Sequence, residues 1–234
     1  MRLPETARLV LTLGIAGTLS GVTIVSTYRL TLPRIQANQA AALERAVLEV
    51  LPGGTSMQRL VWGEHGLAPA ATGAEGGDSV YGGYDAAGGF VGYAIPAAGA
   101  GFQDTIRLIY GYDPGRRRIV GMEVLESRET PGLGDRIFKD PEFVAEFRDL
   151  AVEPRVALVK GHGEGPNEVD AITGATISSQ AVVRILGQAN EAWLPRLPPA
   201  AEAPPLPPPQ ERRPVHPGGE RGGPVPGGRA GEGR

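Results

Sequence analysis

Residues Val169 to Gly187 read VDAITGATISSQAVVRILG, an acidic residue, a turn of small residues and a run of hydroxyls directly ahead of a helical pattern. Ser178 or Ser179 suits the N-cap of that helix. Thr176 is then expected just before the helix N-terminus, where free N–H groups and the helix dipole favour a phosphate. On residue types alone the segment is consistent with an anion-binding turn or with an ordinary helix cap.

The chain upstream of this segment alternates strand-forming residues with Gly- and Pro-rich turns. Two pairs of strand-like runs each enclose a turn-forming segment, one at residues 85–89 and the other at residues 113–115. Each pair therefore predicts a β-hairpin. PEFVAEFRDL, from Pro141 to Leu150, predicts a short amphipathic helix. Short strands with helices at either end indicate a single α+β domain over residues 53–193. The predicted strands are Val80–Tyr84 with Phe90–Ile95, and Thr105–Tyr112 with Arg118–Leu125.

The N-terminal region contains an uncharged apolar stretch at residues 9–28, LVLTLGIAGTLSGVTIVSTY, preceded by a short segment, 1–8. As a helix it would be about 30 Å long, the thickness of a bilayer's hydrocarbon core. A signal peptide would have a shorter apolar run and a small-residue cleavage site close behind it, so we expect an uncleaved transmembrane anchor. Residues 33–52 resume helical spacing and predict a separate connecting helix that stops at Pro52.

Residues 194–234 contain 12 of the 22 prolines and 8 of the 35 glycines, with few large apolar side chains. Such a segment cannot offset the entropy lost on ordering. The sequence therefore predicts a disordered Pro/Gly-rich tail.

Composition excludes several classes of function. Cysteine is absent, which excludes disulfides and thiolate-bound iron–sulfur or c-type haem sites. The three histidines, His65, His162 and His216, have no ligand partner at a usual spacing, so we expect no metal site. The net charge of −3 divides into +3 for residues 1–34, +2 for the tail and −8 between them. An acidic domain argues against a nucleic-acid partner, because a phosphate backbone needs a basic surface. Since thiolate and metal sites are not expected, any redox chemistry would need an organic cofactor.

The spelling of Asp170–Thr176, DAITGAT, resembles the D-x-x-[ST]-G-A-[ST] flavinylation motif. That motif belongs to the FMN-binding domains of the G subunits of Rnf electron transport complexes and of the C subunits of sodium-pumping quinone reductases. In those families a dedicated flavin transferase takes FMN from FAD and joins its phosphate to the last hydroxyl of the motif. The resemblance implies that Thr176 is the covalent FMN acceptor.

The other motif residues have supporting roles in this interpretation. Gly174 and Ala175 leave room beside the phosphate, and Thr173 is expected to form a local hydrogen bond. Asp170 has two open interpretations: an Asx-turn residue, or part of the pattern that the transferase recognises.

Residues 129–135, ETPGLGD, separate the two families, because they look like the signature segment of the Rnf G subunit. Without the resemblance they would indicate only a proline–glycine turn. By resemblance they form a loop over the flavin, in which the residues expected to contact the cofactor are Glu129, Thr130, Gly132 and Leu133. Family members often have a histidine where this chain has Ser127, so a histidine that tunes the flavin is not expected here.

The resemblance extends from the anchor to about Trp193 and implies a membrane-anchored carrier of one covalent FMN. Such a protein would relay electrons within an Rnf complex, between ferredoxin and NAD, with its domain on the periplasmic side of the inner membrane. Its partners would be the other Rnf subunits and the flavin transferase. Two alternatives stay open: the C subunit of a quinone reductase or a stand-alone periplasmic flavin carrier, and an anchored binding module without flavin whose PPPQERRP segment engages partners.

Overall fold

A central antiparallel sheet forms the core of the folded part. In residues 4–64, 66–70 and 78–206, which the computed structural model describes, seven strands pair antiparallel in the order β2-β1-β3-β4-β5-β6-β7. They are β1 Ser56–Gly63, β2 Gly66–Pro69, β3 Ser79–Tyr84, β4 Phe90–Ala100, β5 Thr105–Asp113, β6 Arg118–Glu126 and β7 Leu150–Ala151. A parallel pair, β8 Ala157–Val159 with β9 Glu168–Asp170, lies outside this sheet.

Helices precede, interrupt and follow the strands. They are α1 Glu5–Val50, α2 Arg136–Lys139, α3 Pro141–Ala145 and α4 Thr176–Trp193, with 3₁₀ turns at Glu146–Arg148 and Ala200–Glu202. The predicted α+β class is confirmed, and both predicted hairpins are present as β3–β4 and β5–β6. The predicted tail beyond residue 206, with its PPPQERRP segment, and residues 1–3 lie outside the described residues.

Helix α1 is continuous, so the expectation of two helices separated before residue 33 is wrong. Pro33 lies inside it. An interior proline costs about 3 kcal/mol because it removes one hydrogen bond and crowds the preceding turn. A long helix whose C-terminal end is packed against the sheet can carry that cost. An 18-residue window of α1 has a mean hydropathy of 1.9 and contains no buried residue, so by length and composition α1 could cross a membrane.

The end of α1 packs against a row of glycines in the sheet. A Cβ on Gly111 would lie 1.9 Å from the carbonyl oxygen of Val50, and one on Gly121 would lie 2.9 Å from the Val50 Cα. A Cβ on Gly83 would lie 2.5 Å from the Leu51 side chain. These strand glycines therefore allow the helix end to pack closely against the sheet. This role is separate from that of the glycines in turns, which the sequence indicates.

Helices cover both faces of the sheet. Along β4, Tyr93 and Ile95 belong to one core cluster while Ala94 belongs to another, as expected for side chains that alternate between faces. The cluster of Ala94 includes the end of α1, and the larger cluster includes α4 and α3. Helix α4 is further held by the buried hydroxyl of Tyr110, which donates to Asn190 at 2.8 Å.

The segment predicted as one helix over Pro141–Leu150 is helical only in its first part. Asp140 caps α3 by accepting from the backbone N–H of Glu142 at 3.2 Å. A 3₁₀ turn follows, and Leu150 then enters β7, where it pairs with Ile119 of β6. The strand pairing buries Leu150 in the core, which outweighs the local preference for helix.

The chain beyond α4 contacts the domain, contrary to the expectation of disorder from residue 194. We call residues 194–206 the C-terminal strap. Tyr93 donates to the carbonyl of Pro198 at 3.1 Å, and Tyr84 donates to the carbonyl of Pro204. Two core tyrosines thus give the strap hydrogen-bond partners that its composition does not reveal.

Candidate functional site

Helix α4 begins at Thr176, with Ala175 as the N-cap residue and no side-chain capping hydrogen bond. The expectation that Ser178 or Ser179 caps this helix is wrong, because both lie inside its first turn and are buried. Their hydroxyls have other partners: Ser178 donates to Glu129 at 2.6 Å, and Ser179 donates to the Ala175 carbonyl at 3.1 Å.

The N-terminus of α4 therefore has unused hydrogen-bonding capacity. The N–H groups of Thr176, Ile177 and Ser178 precede the first i→i−4 bond, which Ser179 donates. The half-buried Thr176 hydroxyl makes only a long contact, 3.5 Å, to the carbonyl of Ile172. These groups could together receive an anion and an ester bond.

A cavity of about 330 Å³ opens beside Thr176. Its walls come from the turn after β4, from residues 130–134 and from residues 174–178. Phe102, Leu133 and Ile177 line it, although they are 62%, 52% and 57% exposed. A cavity with apolar walls and a polar end suits a planar ring system that carries an anionic group.

The ETPGLGD loop that forms one wall is held by its own aspartate. Gly132 adopts a φ of +77°, and its N–H donates to Asp135 at 2.8 Å. The hydrogen bond from Lys139, at 2.6 Å, is the main cause that lowers the pKa of the Asp135 carboxyl. The N–H of Leu133 donates to the Thr130 carbonyl at 3.2 Å. The loop is thus a closed turn that presents Leu133 to the cavity.

Glu129 lies behind the cavity wall, 4% exposed. One carboxylate oxygen accepts from the N–H groups of Phe102 and Gln103 at 2.9 and 3.0 Å, and the other accepts from Ser178. Burial raises the pKa of Glu129, but the hydrogen bonds from Ser178 and from backbone N–H groups outweigh it, so the pKa lies below its ordinary value. Glu129 thus joins three segments of the site.

Gly134 lies directly against this buried pair. A Cβ there would come within 2.8 Å of Glu129 and of the Ser178 hydroxyl. Since real Cβ atoms essentially never approach so closely, the loop needs glycine at this position to pack on Glu129.

Arg136 connects the two sequence motifs. Its guanidinium donates to the Thr173 carbonyl at 2.9 Å and to Asp140 at 2.7 Å. Sequence reasoning did not identify this residue. Its position immediately after ETPGLGD was the available signal, but the contact spans 37 residues and depends on the fold.

Asp170 and Thr173 lie at a neighbouring cleft, not in the cavity beside Thr176. Asp170 accepts from the N–H of Gly163 at 2.7 Å and contacts His162 at 3.1 Å. Its own N–H donates to Glu146, whose carboxyl has a pKa raised by burial. Asp170, the last residue of β9, thus ties that strand to residues 162–163. This is not the contact of an Asx turn, which joins the side chain to the backbone two residues further on.

Comparisons with known proteins identify the family. The FMN-binding domain family model matches residues 101–191. The G subunit of an ion-translocating oxidoreductase complex from Methanosarcina acetivorans is 32% identical over 191 residues, covering 79% of this chain and 93% of the relative. The chain belongs to this family of G subunits. The G subunit of a proton-translocating ferredoxin:NAD(+) oxidoreductase complex from Clostridium ljungdahlii is 26% identical, covering 74% and 83%.

Solved structures share the fold of this G-subunit family member. NqrC from Shewanella oneidensis has a TM-score of 0.52 and 18% identity, covering 64% of this chain and 91% of the other. The C subunit of the Na(+)-translocating NADH-quinone reductase from Parabacteroides distasonis also has a TM-score of 0.52, with 20% identity, covering 69% and 94%. Both likenesses concern the fold alone.

The structure brings part of the expected site of this family member together. The predicted residues that line the cavity are Thr130, Leu133, Gly174, Ala175 and Thr176. Sequence reasoning missed Phe102, Ile177 and Ser178, which line it as well. Phe102 lies 74 positions before Thr176, and an aromatic residue in a glycine-rich turn was its only signal.

Proposed function

We propose that this chain is a membrane-anchored electron carrier of an Rnf-type complex, with FMN attached covalently to Thr176 through a phosphoester. One observation carries the proposal. The Thr176 hydroxyl lies at the wall of an apolar cavity, on an uncapped helix N-terminus, without a strong hydrogen-bond partner. Thr173 instead lies at the neighbouring cleft, which supports Thr176 as the acceptor.

The attachment chemistry needs only a hydroxyl from this chain. Thr176 Oγ1 forms a bond to the FMN phosphorus of FAD, the diphosphate bond breaks, and AMP leaves. The hydroxyl proton passes to the flavin transferase. Free N–H groups at the start of α4 would then hydrogen-bond the phosphodiester oxygens, and the helix dipole would favour their charge.

The cavity residues would bind and shield the ring system. Phe102, Leu133 and Ile177 offer apolar contact, and Gly174 allows close approach of the backbone. FMN, when bound, supplies reversible acceptance of electrons, which no side chain of this protein provides. Attachment prevents loss of the cofactor from a fixed series of carriers.

Helix α1 would anchor the carrier in the inner membrane, with the FMN-binding domain on the periplasmic side. Its apolar run is exposed, and the named relatives belong to translocating complexes. The partners would be the other subunits of that complex, which pass electrons to and from the flavin, and the transferase during maturation. The ETPGLGD segment and the G-subunit relatives favour this assignment over the C subunit of a quinone reductase.

The test is expression of the full chain together with its flavin transferase. We expect yellow fluorescence that survives denaturing electrophoresis, and a mass increased by one FMN less one water. Thr176→Ala should lose both, whereas the control Thr105→Ala, at an exposed strand position outside both motifs, should keep both. Fluorescence retained by Thr176→Ala would place the acceptor elsewhere, and an unmodified wild-type chain would contradict the covalent linkage.

A further inference from the structure

Glu129 is a buried charge without a cationic partner. In the part of the chain that the structure describes, its carboxylate takes part in no ion pair. The guanidinium of the adjacent Arg128 instead pairs with two other carboxylates, at 3.7 Å from Asp104 Oδ2 and 3.9 Å from Glu126 Oε1. All three of these side chains are exposed. Among the described residues, the groups in direct contact with the Glu129 carboxylate are therefore neutral hydrogen-bond donors.

Those hydrogen bonds keep the carboxylate ionised and fix its position. Both oxygens are occupied, one by two backbone N–H groups and the other by the Ser178 hydroxyl. Ionised Glu129 is favoured because these donors outweigh the cost of burial and hold its pKa below the ordinary value.

The charge lies one hydrogen bond behind the cavity. Phe102 and Ser178 both line the cavity, and both donate to Glu129. At a separation of a few ångströms a charge acts on its neighbours even at the intermediate effective dielectric of protein sites, and burial screens it less than a surface charge is screened. Whatever occupies the cavity is thus exposed to the field of a fixed negative charge.

We propose that Glu129 is a redox-tuning residue, whose fixed charge lowers the reduction potential of the flavin in the cavity. The inference rests on the proposed function. Reduction adds negative charge to the ring system, and a nearby negative charge opposes it. The residue acts through space and through the cavity wall, and need not touch the cofactor.

The test compares three variants of the full flavinylated chain in detergent, by reductive titration against reference dyes at neutral pH. Glu129→Gln removes the charge and keeps the shape, so the potential should become more positive. Glu126→Gln, the matched control, removes an exposed charge in the same segment and should move the potential far less. Ser178→Ala loosens the same contact but keeps the charge, so its potential should stay at or below that of the wild type.

Two outcomes of this titration would overturn the proposal. One is an unchanged potential in Glu129→Gln. The other is a positive shift in Ser178→Ala as large as that of Glu129→Gln, since loosening of the loop would then explain both.

A flavin-free measurement separates this inference from the proposed function. In the full chain expressed without the transferase, a ¹³C-glutamate NMR titration should show one carboxyl with a pKa below the ordinary value, and Glu129→Gln should lack that signal. Titration of Glu129 near or above neutral pH would leave the residue uncharged under the conditions of the potential measurement and would overturn the proposal, whatever is found at Thr176. If the wild-type chain is never flavinylated, the covalent linkage fails, and the titration of the variants is repeated with added FMN.

Discussion

Ser178 donates its hydroxyl proton to the carboxylate of Glu129 across 2.6 Å, between positions 49 residues apart. Ser178 is in the first turn of α4, two positions after Thr176, and Glu129 begins the ETPGLGD segment. This contact between two buried groups holds the loop and the helix N-terminus as one unit.

Ser178→Ala should therefore lower the free energy of unfolding. Hydrogen bonds to charged groups contribute about 1.5–3 kcal/mol, and the variant leaves a buried carboxylate oxygen without its donor. The measurement is denaturant unfolding of the full chain in mild detergent, followed by the fluorescence of Trp62 and Trp193. The double variant with Glu129→Gln should be less destabilised than the sum of the single changes. Additive effects would mean that the two residues do not interact.

Stability should also depend on the ionisation of Glu129. Its folded-state pKa lies below the ordinary value of 4.5, so its contribution is present above that value and is lost as pH falls through the folded-state pKa. Wild type should consequently lose more stability than Glu129→Gln on acidification from about pH 5. Asp135 and Asp140 also have lowered pKa values, so some acid sensitivity should persist in the variant. Parallel acid profiles for the two chains would contradict the prediction.

The sequence was sufficient for features that depend on local chemistry. Asp113-Pro114-Gly115 predicts a turn from its residue types alone, and the β5–β6 hairpin confirms it. Contacts made by distant residues were not accessible in this way. The close approach of Gly111 to Val50 and the strand pairing of Leu150 arise only when the sheet is complete.

The same distinction between local and distant contacts applies to the candidate site. The motif at residues 170–176 was enough to select Thr176, and the structure places that residue at a cavity. The roles of Glu129 and Arg136 could not be assigned from the sequence, because each depends on partners in other elements. Burial of Glu129 in particular contradicts the usual preference of a carboxylate for the surface.

Gly134→Ala should damage the site, because a methyl group there would collide with the Glu129–Ser178 pair. Overpacking of this kind costs about 1–3 kcal/mol. Lower unfolding free energy and weaker flavinylation are expected. Gly63→Ala is the matched control, because the nearest atom to its added Cβ is 3.9 Å away. Equal stability and equal flavin content in the two variants would show that the loop can move aside without consequence.

The C-terminal strap should stabilise the domain. Besides the hydrogen bonds from Tyr84 and Tyr93, the strap contributes Arg196. Its Nη1 lies 3.1 Å from Asp78 Oδ2, and its Cζ lies 5.9 Å from the ring centroids of Trp62 and Trp193. Truncation after Trp193 removes all of these and should lower the unfolding midpoint. Truncation after residue 206, the control, keeps every one of them. Equal midpoints for the two truncations would contradict a stabilising role for the strap.

Gly111→Ala should displace the end of α1 from the sheet. The added Cβ would lie 1.9 Å from the Val50 carbonyl oxygen, and because both groups are backbone or rigidly attached to it, no change of side-chain rotamer relieves the clash. Residues 43–51, packed in the wild type, should then become sensitive to proteolysis, with a stability loss of about 1–3 kcal/mol or more. Gly63→Ala again controls for the intrinsic effect of alanine in a strand. Protection of residues 43–51 in Gly111→Ala equal to that in the control would mean that α1 does not depend on the close approach of Val50 to Gly111 for its seat on the sheet.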